Sequence, residues 1–133
     1  MDKSFIMALI PVVFLAGCTT GSINYPRAVG LASTGVEHTV EITSSGFSPS
    51  NLDIQLGDSV VFLNKDTERH WPASDDFPTN DAYPEKGGCL GSKFDACKSL
   101  KQNDAFAFTF YYSGEWCYHD HLSPKIRGCV NVE

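Results

Sequence analysis

Apolar residues in this chain recur at every second position, in short runs broken by Gly, Pro, Asn and Asp. Phe106, Phe108 and Phe110 alternate with Ala105, Ala107 and Thr109, and Leu52, Ile54 and Leu56 alternate with polar residues in the same way. A period of two places successive side chains on opposite faces of a strand, whereas a helix repeats about every 3.6 residues. No stretch has helical periodicity. Val36, Val40 and Ile42 mark a first strand, "VEHTVEIT", followed by a turn or bulge at Gly46-Phe47-Ser48-Pro49. "SVVFLNKD" is apolar on both faces and reads as a central strand. A loop of roughly 30 residues follows, long enough to be functional or stapled. Tyr112 to His119 and Ile126 to Val132 are the last two strands. The expected fold is an all-β sandwich, and nine phenylalanines and five tyrosines suit it.

The N-terminus points to export. Lys3 precedes an apolar run from Phe5 to Leu15, too short to span a bilayer as a helix, and then Leu15-Ala16-Gly17-Cys18. Those four residues resemble a lipobox, in which Cys18 becomes the lipid-modified first residue of the mature chain. An ordinary secretory signal that happens to contain a cysteine is the plainer alternative. The expected organisation is a signal peptide over 1–17, a lipid-anchored tether over 18–35 rich in Gly, Ser and Thr, and one domain over 36–133. Such a protein would face the periplasm or the cell surface and meet the membrane through its lipid. Removing residues 1–17 takes away Lys3 and Asp2 together, so the net charge stays at −6. That acidic balance, without a Lys/Arg cluster, argues against a nucleic-acid partner. Met1 and Met7 are the only methionines and both lie in the signal, so the mature chain has none.

An oxidising compartment makes disulfides the expected state of Cys89, Cys97, Cys117 and Cys129. Local spacing favours Cys89 with Cys97 and Cys117 with Cys129. Strand parity supports the second pair. Trp116, Tyr118 and Asp120 share one face, Cys117, His119 and His121 the other; in the last strand Ile126, Gly128, Val130 and Val132 share a face opposite Arg127, Cys129 and Asn131. With the apolar sets facing the core, Cys117 and Cys129 meet on the outer face, within disulfide range. The alternative keeps Cys117 as a free thiol or a metal ligand.

The same parity aims His119 and His121 the same way, with Cα atoms roughly 6.5 Å apart. Two imidazoles that close can converge on one cation. His70, in "NKDTERHWPAS", is the best third donor. His38, beside Glu37, reads as solvated. Asp120 is a further candidate ligand, with Asp75 and Asp76 near in sequence. The pairs Asp75-Asp76 and Asp81…Glu85 otherwise read as solvated loop charge. No serine lies beside a histidine in a triad motif and no glycine-rich phosphate loop follows a strand, so the chain reads as a binding protein rather than an enzyme.

From about Val36 to Glu133 the chain resembles the cupredoxins. "FSPSNLDIQLGDSVVFLNKD" followed by a histidine is similar to the half of that fold that ends at the first copper ligand. "HWPAS", "FDAC", "GEWCYHDHLSP" and "RGCVNV" resemble a subgroup of small bacterial and archaeal cupredoxin-like proteins. The resemblance implies a Greek-key β-sandwich, here with one long disulfide-stapled loop, and copper. It also exposes departures. The Cys-x-x-His-x-x-Met of a blue-copper cupredoxin, counted back from Gly128, falls on Asp120, Ser123 and Ile126. Without thiolate, second histidine and thioether, a blue-copper centre has no ligands there. What remains is a histidine cluster of His70, His119 and His121, suited to Cu(II) or Zn(II), with copper favoured by the resemblance. The expected function is an exported, anchored protein that holds or delivers copper, in exchange with a donor or acceptor protein. Three alternatives stay open: an electron carrier using Cys117 in an atypical site, a metal-free binding module, and an accessory domain in iron uptake.

Overall fold

The computed structural model describes residues 31–133, so the signal peptide, Cys18 and most of the tether lie outside the described residues. Eight strands form two four-stranded sheets: β1 (Glu37–Thr43), β2 (Gly46–Ser48), β3 (Asn51–Ile54), β4 (Ser59–Asn64), β5 (Pro72–Ser74), β6 (Ala105–Thr109), β7 (Gly114–Asp120) and β8 (Ser123–Val132). One sheet runs β2-β1-β4-β6 and the other β3-β8-β7-β5. The expected β-sandwich is therefore present, with "SVVFLN" as an interior strand of its sheet. Two short elements differ from the sequence reading. Gly46–Ser48 is a strand paired with β1, not a turn, and the long loop contains β5. Neither has enough residues to show a period.

The core is aromatic. Phe62, Tyr118, Phe94 and Phe47 pack edge-on or tilted, and Tyr83 meets Phe108, Phe110 and Trp116. Tyr83, Phe94 and Leu100 come from the long connection, and all three are fully buried. Burying each large apolar side chain is worth about 1.5–3 kcal/mol, which explains why so long a segment folds onto the sandwich. The Tyr83 hydroxyl accepts from the Tyr111 N–H at 3.0 Å, so this buried phenol is satisfied.

Parity along β7 and β8 is as expected. Trp116, Tyr118, Asp120, Val130 and Val132 are buried inward, and Cys117 stands in register with Cys129. Both disulfides, Cys89–Cys97 and Cys117–Cys129, are formed. Gly128 is opposite Tyr118, where a Cβ would lie 2.5 Å from the Tyr118 hydroxyl, so only glycine lets the phenol lie across the strand. The end of the tether is attached to the domain: Thr34 N–H donates to the Gly57 carbonyl at 3.0 Å and its hydroxyl to Asp58 at 2.5 Å.

Candidate metal centre

The end of β7 carries polar groups on both faces. Asp120 points inward and is fully buried. Its Oδ1 accepts from the N–H of Trp71 at 2.9 Å and of Leu122 at 3.0 Å, and its Oδ2 lies 2.6 Å from His70 Nδ1. The other nitrogen of His70 is 3.0 Å from Asp66 Oδ2. His70 is thus clamped between two carboxylates. Carboxylates only accept, so both ring nitrogens must carry hydrogens for both bonds to form. Burial pushes the His70 pKa down, but the bonds to Asp120 and Asp66 outweigh it and hold it above the ordinary imidazole value. In return the His70 bond holds Asp66 below the ordinary carboxylate value.

His119 and His121 occupy the other face. His119 is fully buried, although it points outward from the sheet, because the chain after β5 folds over it. Asp75 Oδ1 lies 2.9 Å from His119 Nδ1. His119 Nε2 faces His121 Nδ1 at 3.2 Å. Phe77 flanks both rings, with centroids at 5.5 Å and 5.0 Å, and Trp71 packs on His121 at 4.8 Å. Trp71 is itself fixed by its indole N–H, which donates to Asp95 at 2.6 Å.

The structure therefore brings together His119 and His121 and separates His70 from them. Among the described residues no group of three potential donors that includes a histidine converges within 4.8 Å. The expected three-histidine cluster is a pair, and His70 serves a different set of partners. Asp120, expected as a further ligand, is turned to the His70 side by the same alternation that turns His119 outward. Cys117 is bonded to Cys129 and offers no thiolate. His38 is not simply solvated: its Nε2 lies 2.8 Å from buried Asp58. Asp75 also departs from the solvated reading, being 4% exposed, while Asp76 beside it is exposed. Asp75 is the residue that sequence reasoning missed as a partner. The one local hint is Arg127, which parity sets opposite His119 on the outer face and which pairs with Asp75 Oδ2.

The geometry suits a borderline cation. A metal about 2.0 Å from each of two nitrogens separates them by ~2.8 Å in a square arrangement and ~3.3 Å in a tetrahedral one. The observed 3.2 Å falls between these. A carboxylate behind one ligand imidazole is also what metal-binding histidines usually have. A blue-copper centre, by contrast, does not fit, because its thiolate position is Asp120 and His70 is occupied on both nitrogens.

No protein-family profile and no curated relative matches the chain. Solved structures do. A purple cupredoxin from Nitrosopumilus maritimus superposes with a TM-score of 0.57 at 23% identity, covering 71% of this chain and 98% of its own. A reduced tryptophan-to-tyrosine mutant of amicyanin gives 0.60 at 23% identity, covering 77% of this chain and 86% of its own. A methionine-to-alanine mutant of amicyanin, in its Cu(I) form, gives 0.58 at 23% identity, over 80% and 90%. The fold is that of the cupredoxins. At this identity the likeness concerns the fold alone, and the metal chemistry of the chain must be argued from its own donors.

Proposed function

We propose that this cupredoxin-fold protein is exported, lipid-anchored through Cys18, and holds or hands over copper at His119 and His121. The observation that carries the reading is the 3.2 Å separation of His119 Nε2 and His121 Nδ1, with Asp75 behind His119. Two protein donors leave further coordination positions for water or for a donor from a partner, which suits transfer better than sequestration. Trp71 and Phe77 screen the pair from solvent on two sides. The electron-carrier alternative needs Cys117 as a thiolate, and the disulfide to Cys129 removes that support.

The test is Cu(II) binding to protein purified without added metal. One equivalent is expected, pale in colour and with a wide EPR hyperfine splitting, since no thiolate shares the unpaired spin. His119→Ala and His121→Ala are each expected to weaken binding at least tenfold, and His70→Ala to leave it within about threefold. Unchanged affinity in both the His119→Ala and His121→Ala proteins refutes the site. Separately, Cys18→Ala is expected to move the protein from the membrane to the soluble fraction.

A further inference from the structure

Asp75 is over-determined for a loop carboxylate. Its N–H donates to the Cys117 carbonyl on β7 at 3.0 Å, and its own carbonyl accepts from the Ala82 N–H at 2.5 Å. Its two side-chain oxygens are divided between His119 Nδ1 and Arg127. Arg127 stands opposite His119 in the β7–β8 register, so the cation that balances Asp75 comes from the neighbouring strand. Backbone and side chain together fix this carboxylate beside one histidine of the pair and not the other.

Resting on the reading of His119 and His121 as donors, we propose that Asp75 is the positioning residue of an asymmetric pair: it presets His119 as the ready donor and leaves His121 as the one that must switch. The carboxylate can only accept, so Nδ1 of His119 carries the hydrogen and the lone pair of a neutral ring sits on Nε2. That lone pair faces His121 Nδ1, so without metal it is His121 that supplies the hydrogen between the rings. A cation entering the pair takes the place of that hydrogen. His121 stays neutral by carrying its hydrogen on Nε2 instead, a nitrogen that no described residue holds. One hydrogen moves from Nδ1 to Nε2 of the same ring by way of water, none is released, and His119 does not change. The buried ring is thereby spared rearrangement, and the half-buried one, in reach of water, carries the exchange.

The experiment is long-range proton–nitrogen NMR on the full chain with its disulfides formed, at a pH above the ordinary imidazole range, with Zn(II) as the diamagnetic probe. Before metal, both His119 and His121 are expected as the Nδ1–H form. After Zn(II), His119 keeps that form and His121 shows Nε2–H. In Asp75→Ala, His119 is expected to populate both tautomers and Zn(II) affinity to fall about 10–100-fold. An Nε2–H form of His119 in the metal-free wild-type chain overturns the assignment, and needs no variant to fold. So does an Asp75→Ala affinity within about twofold of wild type while His119→Ala weakens binding at least tenfold. The failure of the pair itself would look different: Zn(II) affinity unmoved in His119→Ala and His121→Ala, with the metal-free tautomer of His119 still reporting on Asp75.

Discussion

Replacing Asp120 with asparagine tests whether the inward face of β7 is a structural clamp. The substitution is nearly isosteric. The asparagine oxygen can keep the two backbone donors, Trp71 N–H and Leu122 N–H, which now sit at 2.9 Å and 3.0 Å from Oδ1. What changes is the 2.6 Å contact to His70, where an acceptor becomes an N–H₂ donor facing another donor. A charge-assisted hydrogen bond is worth about 1.5–3 kcal/mol, and breaking a buried pair by removing one partner costs about 3–5 kcal/mol. Release of the His70 proton offsets part of that, so the expected loss is about 3 kcal/mol. The assay is urea unfolding with disulfides intact, run as a double-mutant cycle with His70→Gln. Because the two side chains touch, the double variant is expected to be less destabilised than the sum of the singles by about 1.5–3 kcal/mol. A cycle additive to within about 0.5 kcal/mol refutes the clamp, as does an Asp120→Asn protein as stable as wild type.

The raised His70 pKa makes stability depend on pH with a definite sign. Below the unfolded value near 6.5 both states hold the proton and the His70 contribution is complete; as pH rises through the higher folded value it is lost, so Tm should fall as pH rises above about 6.5 in wild type and much less in His70→Gln. Gly128→Ala would place a Cβ 2.5 Å from the Tyr118 hydroxyl and 2.9 Å from the Ser50 carbonyl, and overpacking of this kind costs about 1–3 kcal/mol. Thermal melts should show the loss, and Tyr118→Phe should recover part of it, since the Tyr118 hydroxyl is buried with no hydrogen-bond partner among the described residues; a Gly128→Ala melt unchanged from wild type would mean the strands are not in close contact there.

What was legible in the sequence is what obeys a local period. Alternation through Trp116–His121 and Ile126–Val132 places Cys117 opposite Cys129 and His119 opposite Arg127, and the register agrees up to His119, beyond which it shifts. His121 follows the strand, with its Nδ1 3.2 Å from His119 Nε2. Phe106, Phe108 and Phe110 announced their strand for the same reason. The illegible parts have no period to read. β5 is three residues long, and its pairing with β7 depends on how the 65–104 segment packs Tyr83, Phe94 and Leu100 into the core. That packing also buries Asp75, so a residue that looks like solvated loop charge becomes the partner of His119 only in three dimensions.

The separation of His70 from the pair was nonetheless implicit in the same alternation. Asp120 falls on the inward face with Trp116 and Tyr118, and a carboxylate that is fully buried must find donors or a counter-charge. Backbone N–H groups satisfy one of its oxygens, and the other needs a cationic or donor side chain at the same end of the sandwich. His70, at the chain's entry to β5, stands within reach because Pro72 pairs with Asp120. An inward Asp120 therefore claims His70 for itself and leaves the outward histidines without it. The end of β7 thus divides its work by parity. Its inward residue, Asp120, is held by the His70 imidazole and two backbone amides, with Asp66 on the far nitrogen of His70, and this fixes the strand end. On the outward side, His119 and, just beyond the strand, His121 sit on that fixed end, with His119 Nε2 and His121 Nδ1 facing each other at 3.2 Å.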